Sequence, residues 1–414
     1  MQKIRTDFRA HEIDASFDAF VRHLCATLPF LISDMSAQSA TTSLRAQQHA
    51  TRAAFFVPGF ALAAWAPIVP FAKASAGLDD AALGLVLLCL GTGSLLAMPL
   101  AGVITSREGC RKVLVATALL ICATLPLLTI AASPWSLGAV LFLFGMGVGA
   151  MDCTMNMQAV MVERDSGKAM MSGFHAFYSI GGFVGAMGIT ALLSAGVGPW
   201  ASYLPIVAGI LVVLVSASKY WRADRVSQDV PALALPKGVV IFIGMLCFVT
   251  FLAEGSMLDW SAVFLHEVRG VDASRTGIGF VVFSLTMTIT RLFGDRLVQR
   301  LGRLLAVVLG GVLASTGFLI ATLVTQWEAA LFGYVLVGLG CANIVPAMFS
   351  LAGQQKTMPE NIAIPAITTL GYAGVLAGPA LIGCVAQATS LVTAFVGVAV
   401  AMLGVALSMR WLKV

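Results

Sequence analysis

Residues 137–161 read LGAVLFLFGMGVGAMDCTMNMQAVM, an apolar stretch that contains one carboxylate, Asp152. A hydrocarbon core about 30 Å thick is crossed by roughly 20 helical residues. The stretch therefore predicts a membrane-spanning helix. A carboxylate at that depth is costly and rare unless it faces a wet cavity and serves a function. Asp152 is thus the first residue to consider for mechanism.

The whole chain has the composition of a membrane protein. Of its 414 residues, 59% are hydrophobic and 11% are charged, whereas a soluble domain has about 25% charged residues. Apolar segments of about 20 residues recur along the chain. They predict an all-α integral membrane protein of twelve spans arranged as two six-helix bundles. The spans lie near 53–72, 82–104, 113–132, 137–161, 169–194, 201–218, 238–259, 274–294, 304–324, 328–352, 362–387 and 390–411.

The domain organisation follows from these spans. An N-terminal tail covers 1–50, a six-helix bundle 51–218, a charged linker 219–237 and a second six-helix bundle 238–414. Two interpretations of the tail stay open. Residues 17–32 are weakly amphipathic and could lie on the membrane surface, or Met35 is the true start of the protein.

The placement of positive charge predicts the topology. If both termini are cytoplasmic, only Lys73, Arg269 and Arg275 fall in outer segments, and Arg291 lies within a span. Cytoplasmic enrichment of Lys and Arg is typical of membrane proteins, so the net charge of +5 requires no nucleic-acid partner. The eight cysteines lack metal-ligand spacing; we expect no disulfide, no metal site and no cofactor.

Two internal repeats indicate a duplicated unit. Residues 147–152 (GVGAMD) match residues 338–343 (GLGCAN) at an offset that pairs Asp152 with Asn343. The turns after spans 2 and 8 also correspond, reading GVITSREGCRK from Gly102 and RLFGDRLVQRLGR from Arg291. Duplicated transporters place their binding region between the repeats near the midplane.

Twelve spans, a six-plus-six repeat and these basic glycine-containing turns resemble the major facilitator superfamily. Gly102, Arg107, Gly109 and Arg111 match the family's signature in the turn after span 2, whereas Ser106 stands where the family usually has Asp. The resemblance covers roughly 53–412. It implies alternating access, a small-molecule substrate and a monomer in the bacterial inner membrane, rather than an enzyme.

Within that superfamily, two segments are most similar to the fucose-permease-like bacterial branch, and in particular to inner-membrane proteins of the YbjJ type. They are DCTMN from Asp152 with HAFYS from His175, and EGSMLDW from Glu254. By this resemblance, spans 1, 4, 7 and 10 line the central cavity. Three of these four carry a polar or acidic residue well inside the span: Asp152, Glu254 and Asn343.

Asp152 and Glu254 are the predicted proton-coupling residues. Low-dielectric surroundings disfavour an ionised carboxylate, which suits Asp152 to take up and release protons. The alternative is a permanently protonated Asp152 that bonds a neighbouring helix. Glu254 lies nearer the end of its span, and three roles stay open for it. It is the second titrating group, an outer-gate residue or a solvated acid at the helix end.

A polar patch around Asp152 is the predicted substrate site. Folding spans 4 and 5 as a hairpin puts Asp152 opposite Tyr178 and Ser179, and Asn156 opposite His175; a core histidine bonded to Asn156 is the alternative for His175. The predicted substrate-binding residues are Trp65, Asn156, His175, Tyr178, Asn343 and Tyr372. An inner gate of Arg107, Arg111, Arg291 and Asp295 is implied by the resemblance; Arg291 and Asp295 could instead form a simple intrahelical pair.

These observations favour a proton-coupled secondary transporter of a small sugar- or polyol-like solute. Proton-coupled efflux of amphiphilic compounds is the alternative, although the family's proline-containing antiporter motif is absent from GGFVG at 181–185. A membrane sensor without transport is less favoured, because no polar segment after span 1 exceeds about 20 residues.

Overall fold

A computed structural model describes residues 43–78, 80–224, 235–272 and 275–412 of the chain. Both interpretations of residues 1–34, and most of the predicted linker, lie outside this described part. Within it the secondary structure is helical and contains no strand.

Twelve of the described helices are long and apolar enough to cross a membrane, as the sequence predicts. We number them so that each helix has the number of its predicted span. They are α1 Leu44–Ala76, α2 Leu85–Glu108, α3 Cys110–Ile130, α4 Pro134–Ser166, α5 Met171–Ser194, α6 Pro199–Tyr220, α7 Val239–Val268, α8 Ile278–Leu301, α9 Arg303–Leu323, α10 Trp327–Ala352, α11 Glu360–Ala388 and α12 Leu391–Trp411.

The ends of α4 show how local sequence sets a boundary. Ser133 caps its first turn by accepting a hydrogen bond from the Ser136 N–H, and Pro134 occupies the first helical position, where its missing N–H costs nothing. The helix stops at Gly167, whose φ of 63° is a left-handed conformation that glycine adopts without strain. The resulting 33-residue helix is longer than the predicted span 137–161.

Two helices are interrupted near the middle of the protein. In α1 a 3-10 turn, Ala66–Ile68, follows Trp65 and contains Pro67. In α10 the α-helix ends at Cys341 and resumes at Ile344. Proline lacks an N–H and cannot continue an α-helical ladder, which accounts for the first interruption.

The helix contacts repeat between α1–α6, the first half, and α7–α12, the second half. In the first half α1 packs on α5, α2 on α4 and α3 on both α4 and α6. In the second half α7 packs on α11, α8 on α10 and α9 on α12. The halves meet where α2 and α4 contact α11, and where α5 contacts α8 and α10.

Contacts of the linker place several chain turns on one face. The Trp221 indole N–H donates to the Ala50 carbonyl at the start of α1 (2.8 Å), and Arg222 pairs with Asp165 at the end of α4. At the other end of the linker, the Lys237 N–H contacts the Met358 sulfur just before α11. We call this face the linker side and the other the opposite side.

Candidate functional site

Asp152 lies at the middle of α4 and is half-buried. Among the described residues, its carboxylate forms no hydrogen bond or ion pair. It interacts electrostatically with the phenol groups of Tyr178 on α5 and Tyr372 on α11, and Tyr372 also interacts with the Ser94 hydroxyl on α2. The structure therefore brings Asp152, Tyr178 and Tyr372 from three helices to one place.

The route by which Tyr178 approaches Asp152 differs from the expected hairpin. Helices α4 and α5 touch each other little, and α5 packs instead along α1. Glycines permit this close approach: a Cβ at Gly59 would collide with the Tyr178 carbonyl, and one at Gly185 with the Phe60 carbonyl. Small residues at such positions let helix backbones come together in a membrane.

Asn156 and His175 do not bond each other, in contrast to the expectation. The Asn156 amide donates to the Asp152 backbone carbonyl one turn earlier (2.9 Å), and its Oδ1 has no partner. The His175 ring packs between Phe55 and Phe349, at centroid distances of 5.0 and 6.0 Å, and its Nε2 has no partner. Both side chains are buried, so each has one buried polar atom without a hydrogen-bond partner among the described residues.

Glu254 forms a central ion pair that the sequence analysis missed. Its carboxylate lies 3.3 Å from Arg291 Nη2, and both side chains are largely buried. Arg291 also donates to the Ser179 hydroxyl on α5 (3.2 Å) and to the Ala342 carbonyl on α10 (3.2 Å). The alternative that Arg291 and Asp295 form an intrahelical pair is therefore wrong. The guanidinium extends toward the centre, where a carboxylate from another helix meets it.

The interruption of α10 supplies part of this central region. The Ala342 carbonyl has no partner in the helical ladder, because Pro346 four residues later lacks an N–H, and Arg291 donates to this carbonyl instead. The adjacent Asn343 is buried and its Oδ1 has no hydrogen-bond partner. This oxygen lies next to the Ala342 carbonyl that Arg291 contacts, and it packs against Gly294 of α8, where an added Cβ would collide with it.

Trp65 lies at the other interruption, in α1. Its side chain is buried at the point where the helix changes to a 3-10 turn. None of its described contacts ties it to Asp152.

The predicted inner-gate residues separate into three environments on the linker side. Asp295 accepts hydrogen bonds from the Gly173 N–H in the first turn of α5, at 3.0 and 3.1 Å. Arg111 is buried and donates to the Trp221 and Lys219 carbonyls, so it anchors the start of the linker. Arg107 is exposed. Of the four, only Asp295 joins the two halves on the linker side.

Other linker-side contacts between the halves were not predicted. Arg164 at the end of α4 pairs with Glu360 at the start of α11, at 2.6 Å. Arg303 at the start of α9 pairs with Glu163 of α4, at 3.0 Å. Charges beside the ends of spans were the available signal, but such charges are common at membrane interfaces and do not reveal their partners.

The Ser106 position also joins the halves. Its hydroxyl accepts a hydrogen bond from the Asn361 amide at 2.8 Å. The residue that departs from the family's signature thus makes a neutral contact between the halves, whereas Asp295 of α8 makes a charged one. Across the described residues no group of His, Cys, Asp or Glu side chains could hold a metal ion.

Comparison with known proteins identifies the family. The model of the Major Facilitator Superfamily matches residues 53–363. An uncharacterised transporter of the major facilitator type from Yersinia pestis is 51% identical over 366 residues, covering 88% of this chain and 95% of its own. The membrane protein MosC of Rhizobium meliloti is 33% identical, covering 81% of this chain and 83% of its own.

A solved structure shares the architecture. The fucose:proton symporter FucP of E. coli superposes with a TM-score of 0.76, covering 89% of this chain and 99% of its own, at 15% identity. At that identity the likeness concerns the fold alone. The family match and the Yersinia pestis relative named as a transporter establish a multi-pass membrane transporter of small molecules rather than an enzyme. The chain belongs to the Major Facilitator Superfamily.

Proposed function

We propose that this transporter moves a small polar, sugar- or polyol-like solute by alternating access, coupled to protons. Asp152 is the proposed coupling residue and Glu254 a second one. The proposed substrate contacts are Trp65, Asn156, His175, Tyr178, Asn343 and Tyr372. Asp295 is proposed for the linker-side gate, with Arg107 and Arg111 beside it, and Arg291 acts at the centre.

The observation that carries the proposal is the unpaired carboxylate of Asp152. It sits half-buried in the middle of a membrane span, while Glu254 is already paired with Arg291. An isolated charge there is unfavourable, so a proton on Asp152 is a low-energy way to neutralise it. Because the group faces the phenols of Tyr178 and Tyr372, protonation and solute binding would share one place.

The surroundings of Asp152 suit a polar solute. Asn156 and Asn343 each present a buried amide oxygen without a partner, which could accept a hydrogen bond from a solute hydroxyl. The two tyrosine rings could pack against C–H faces. These groups support a hydroxylated compound more than an apolar one. The fold neighbour named as a fucose:proton symporter agrees with this choice.

Ion pairs between the halves support the proposed alternating access. Arg164–Glu360 and Arg303–Glu163 close the linker side. Opening that side requires breaking both pairs.

We propose in addition that the linker side is cytoplasmic and that the chain works as a monomer in a bacterial inner membrane. We also propose that the halves divide at 219–237 and that the transporter belongs to the YbjJ-like subtype.

The test is solute-driven proton movement in liposomes that contain the purified protein and an internal pH-sensitive dye. Sugars and polyols are added to wild type, to Asp152→Asn and to Asp259→Asn, an exposed carboxylate on α7 that serves as matched control. We expect a pH change with wild type and with Asp259→Asn, and none with Asp152→Asn, although solute binding persists.

Retained proton movement in Asp152→Asn would refute Asp152 as the coupling residue. If no sugar or polyol moves protons in wild type, the proposed substrate class fails. Proton movement driven by amphiphilic cations would then favour efflux. Binding without any transport would favour a sensor.

A further inference from the structure

We propose that the substrate is a hydroxylated carboxylate, such as a sugar acid, whose carboxylate replaces Glu254 on Arg291. This inference rests on the proposed transport of a polar solute and narrows its class. It comes from the incomplete coordination of a buried guanidinium at the centre of the protein.

Arg291 is held by three hydrogen bonds, and all three are long. The distances to Glu254, Ser179 and Ala342 are 3.3, 3.2 and 3.2 Å. Charge-assisted bonds of this kind are usually about 2.7–2.9 Å, and guanidinium groups favour paired, parallel bonds to both oxygens of a carboxylate. Glu254 supplies one oxygen only, so the guanidinium retains donors for a better-placed anion.

Other ion pairs of the same protein are tighter. Arg164–Glu360 measures 2.6 Å and Arg303–Glu163 measures 3.0 Å, although the arginine of each pair is more exposed to water than Arg291. A purely structural pair in an apolar interior needs good geometry to offset the cost of desolvating two charges. The loose Glu254–Arg291 contact fits an exchangeable pair better than a permanent one.

The groups beside Arg291 suit the rest of such a ligand. Asn343 follows Ala342, whose carbonyl already contacts Arg291, and its buried Oδ1 has no partner. Such an oxygen accepts a hydrogen bond from a hydroxyl group, whereas it would oppose a second carboxylate. The arrangement therefore offers one position for an anion and neighbouring positions for hydroxyl groups.

The charges at the centre of the protein couple binding of such an anion to proton uptake. When ionised, Asp152, Glu254 and Arg291 carry one excess negative charge, and a ligand carboxylate would add another. Two excess charges in a low-dielectric cavity are strongly unfavourable, so a proton must accompany the anion onto one of the carboxylates. Acidic conditions should therefore strengthen binding.

Among the described residues, six titratable groups besides the ion pair interact electrostatically with this central region. They are Asp152 on α4, His175 and Tyr178 on α5, Cys341 on α10, Tyr372 on α11 and Cys247 on α7. Of these, only Asp152 is a carboxylic acid. His175 is also a base, but its ring packs between Phe55 and Phe349 and interacts with Arg291, surroundings that disfavour a second positive charge. Asp152 and Glu254 are therefore the two acceptors for the accompanying proton.

The experiment compares binding within matched pairs of compounds by calorimetry on the purified full-length protein. The pairs are D-gluconate with D-sorbitol, D-galactonate with galactitol, and D-glycerate with glycerol. At least one acid is expected to bind about tenfold or more tightly than its neutral partner, because it gains charge-assisted hydrogen bonds to Arg291. Its affinity should rise as the pH falls.

Two substitutions separate exchange from a structural pair. Glu254→Gln removes the competing carboxylate, so it should tighten binding of the preferred acid and weaken its pH dependence. Arg291→Gln should abolish the preference for acid over polyol. Asp259→Asn is the control on α7, with no expected change. A structural pair predicts instead that Glu254→Gln weakens binding or leaves it unchanged.

The inference is overturned if no acid binds more tightly than its polyol, or if Glu254→Gln fails to tighten binding. It is also overturned if no compound binds the wild type. Persisting Asp152-dependent proton movement with neutral polyols would leave the proposed function intact while removing this narrower substrate class.

Discussion

At the scale of single residues, three charges inside the membrane have different partners. Asp152 is unpaired among the described residues, whereas Glu254 and Arg291 form a buried pair. All three could be recognised in the sequence as charges inside apolar spans. Their pairing could not, because spacing along one helix shows which side chains are within reach but not which way a long side chain extends.

The central ion pair makes a prediction about stability. Arg291→Leu leaves Glu254 as an uncompensated buried charge and should lower the free energy of unfolding by about 3–5 kcal/mol. The double variant Glu254→Leu/Arg291→Leu should be less destabilised than Arg291→Leu alone. Chemical unfolding in detergent measures both. A double variant that is destabilised as much as Arg291→Leu, or more, would contradict the prediction.

At the scale of elements, glycines set the distance between helices. Gly145 and Gly149 of α4 lie against the α2 backbone, and Gly181 and Gly185 of α5 lie against α1. The sequence indicated close packing at these positions through their spacing of four. It did not reveal that α5 packs on α1 rather than on α4, since helix neighbours in a bundle depend on the whole arrangement.

The contact between α1 and α5 can be tested with matched glycines. A Cβ at Gly185 would collide with the Phe60 carbonyl, while nothing lies near a Cβ at Gly188 on the same helix. Gly185→Ala should therefore destabilise the protein by about 1–3 kcal/mol and reduce transport. Gly188→Ala should be neutral or slightly stabilising, because alanine favours helix. Thermal unfolding and transport assays compare them, and equal effects would contradict the proposed packing.

At the scale of the whole molecule, contacts on the linker side hold the halves together. They include two ion pairs and the carboxylate of Asp295 at the first turn of α5. Negative charge is favourable at a helix N-terminus, so Asp295 stabilises α5 from the other half of the protein. Separating the halves on this side costs all three interactions.

Weakening one of these contacts should shift the population of states. Glu163→Gln removes the charge that meets Arg303, so it should favour opening of the linker side. Spin labels at Lys168 and Lys356, both exposed, would report a longer distance in this variant. Lys112→Gln is the control, because Lys112 pairs with Glu108 within the first half. An unchanged distance in Glu163→Gln would contradict a gating role for this pair.

The sequence by itself determined the class of this protein, its twelve helices, the repeated halves and the position of its membrane carboxylates. These properties depend on the number and order of apolar residues along the chain. The thickness of the bilayer sets how many consecutive apolar residues form one spanning helix. The family signature in the turn after span 2 was likewise readable along the chain.

Only the tertiary structure decided which groups meet. Glu254 and Arg291 are 37 residues apart, and Ser179 is 112 residues from Arg291, yet all three join at the centre. The sequence does carry a signal for the free Ala342 carbonyl, because Pro346 lies four residues later and lacks the N–H that would bond it in a continuous α-helix. That Arg291 donates to this carbonyl was not apparent from the sequence. Such contacts arise from the packing of several helices at once, and no spacing along one helix encodes them.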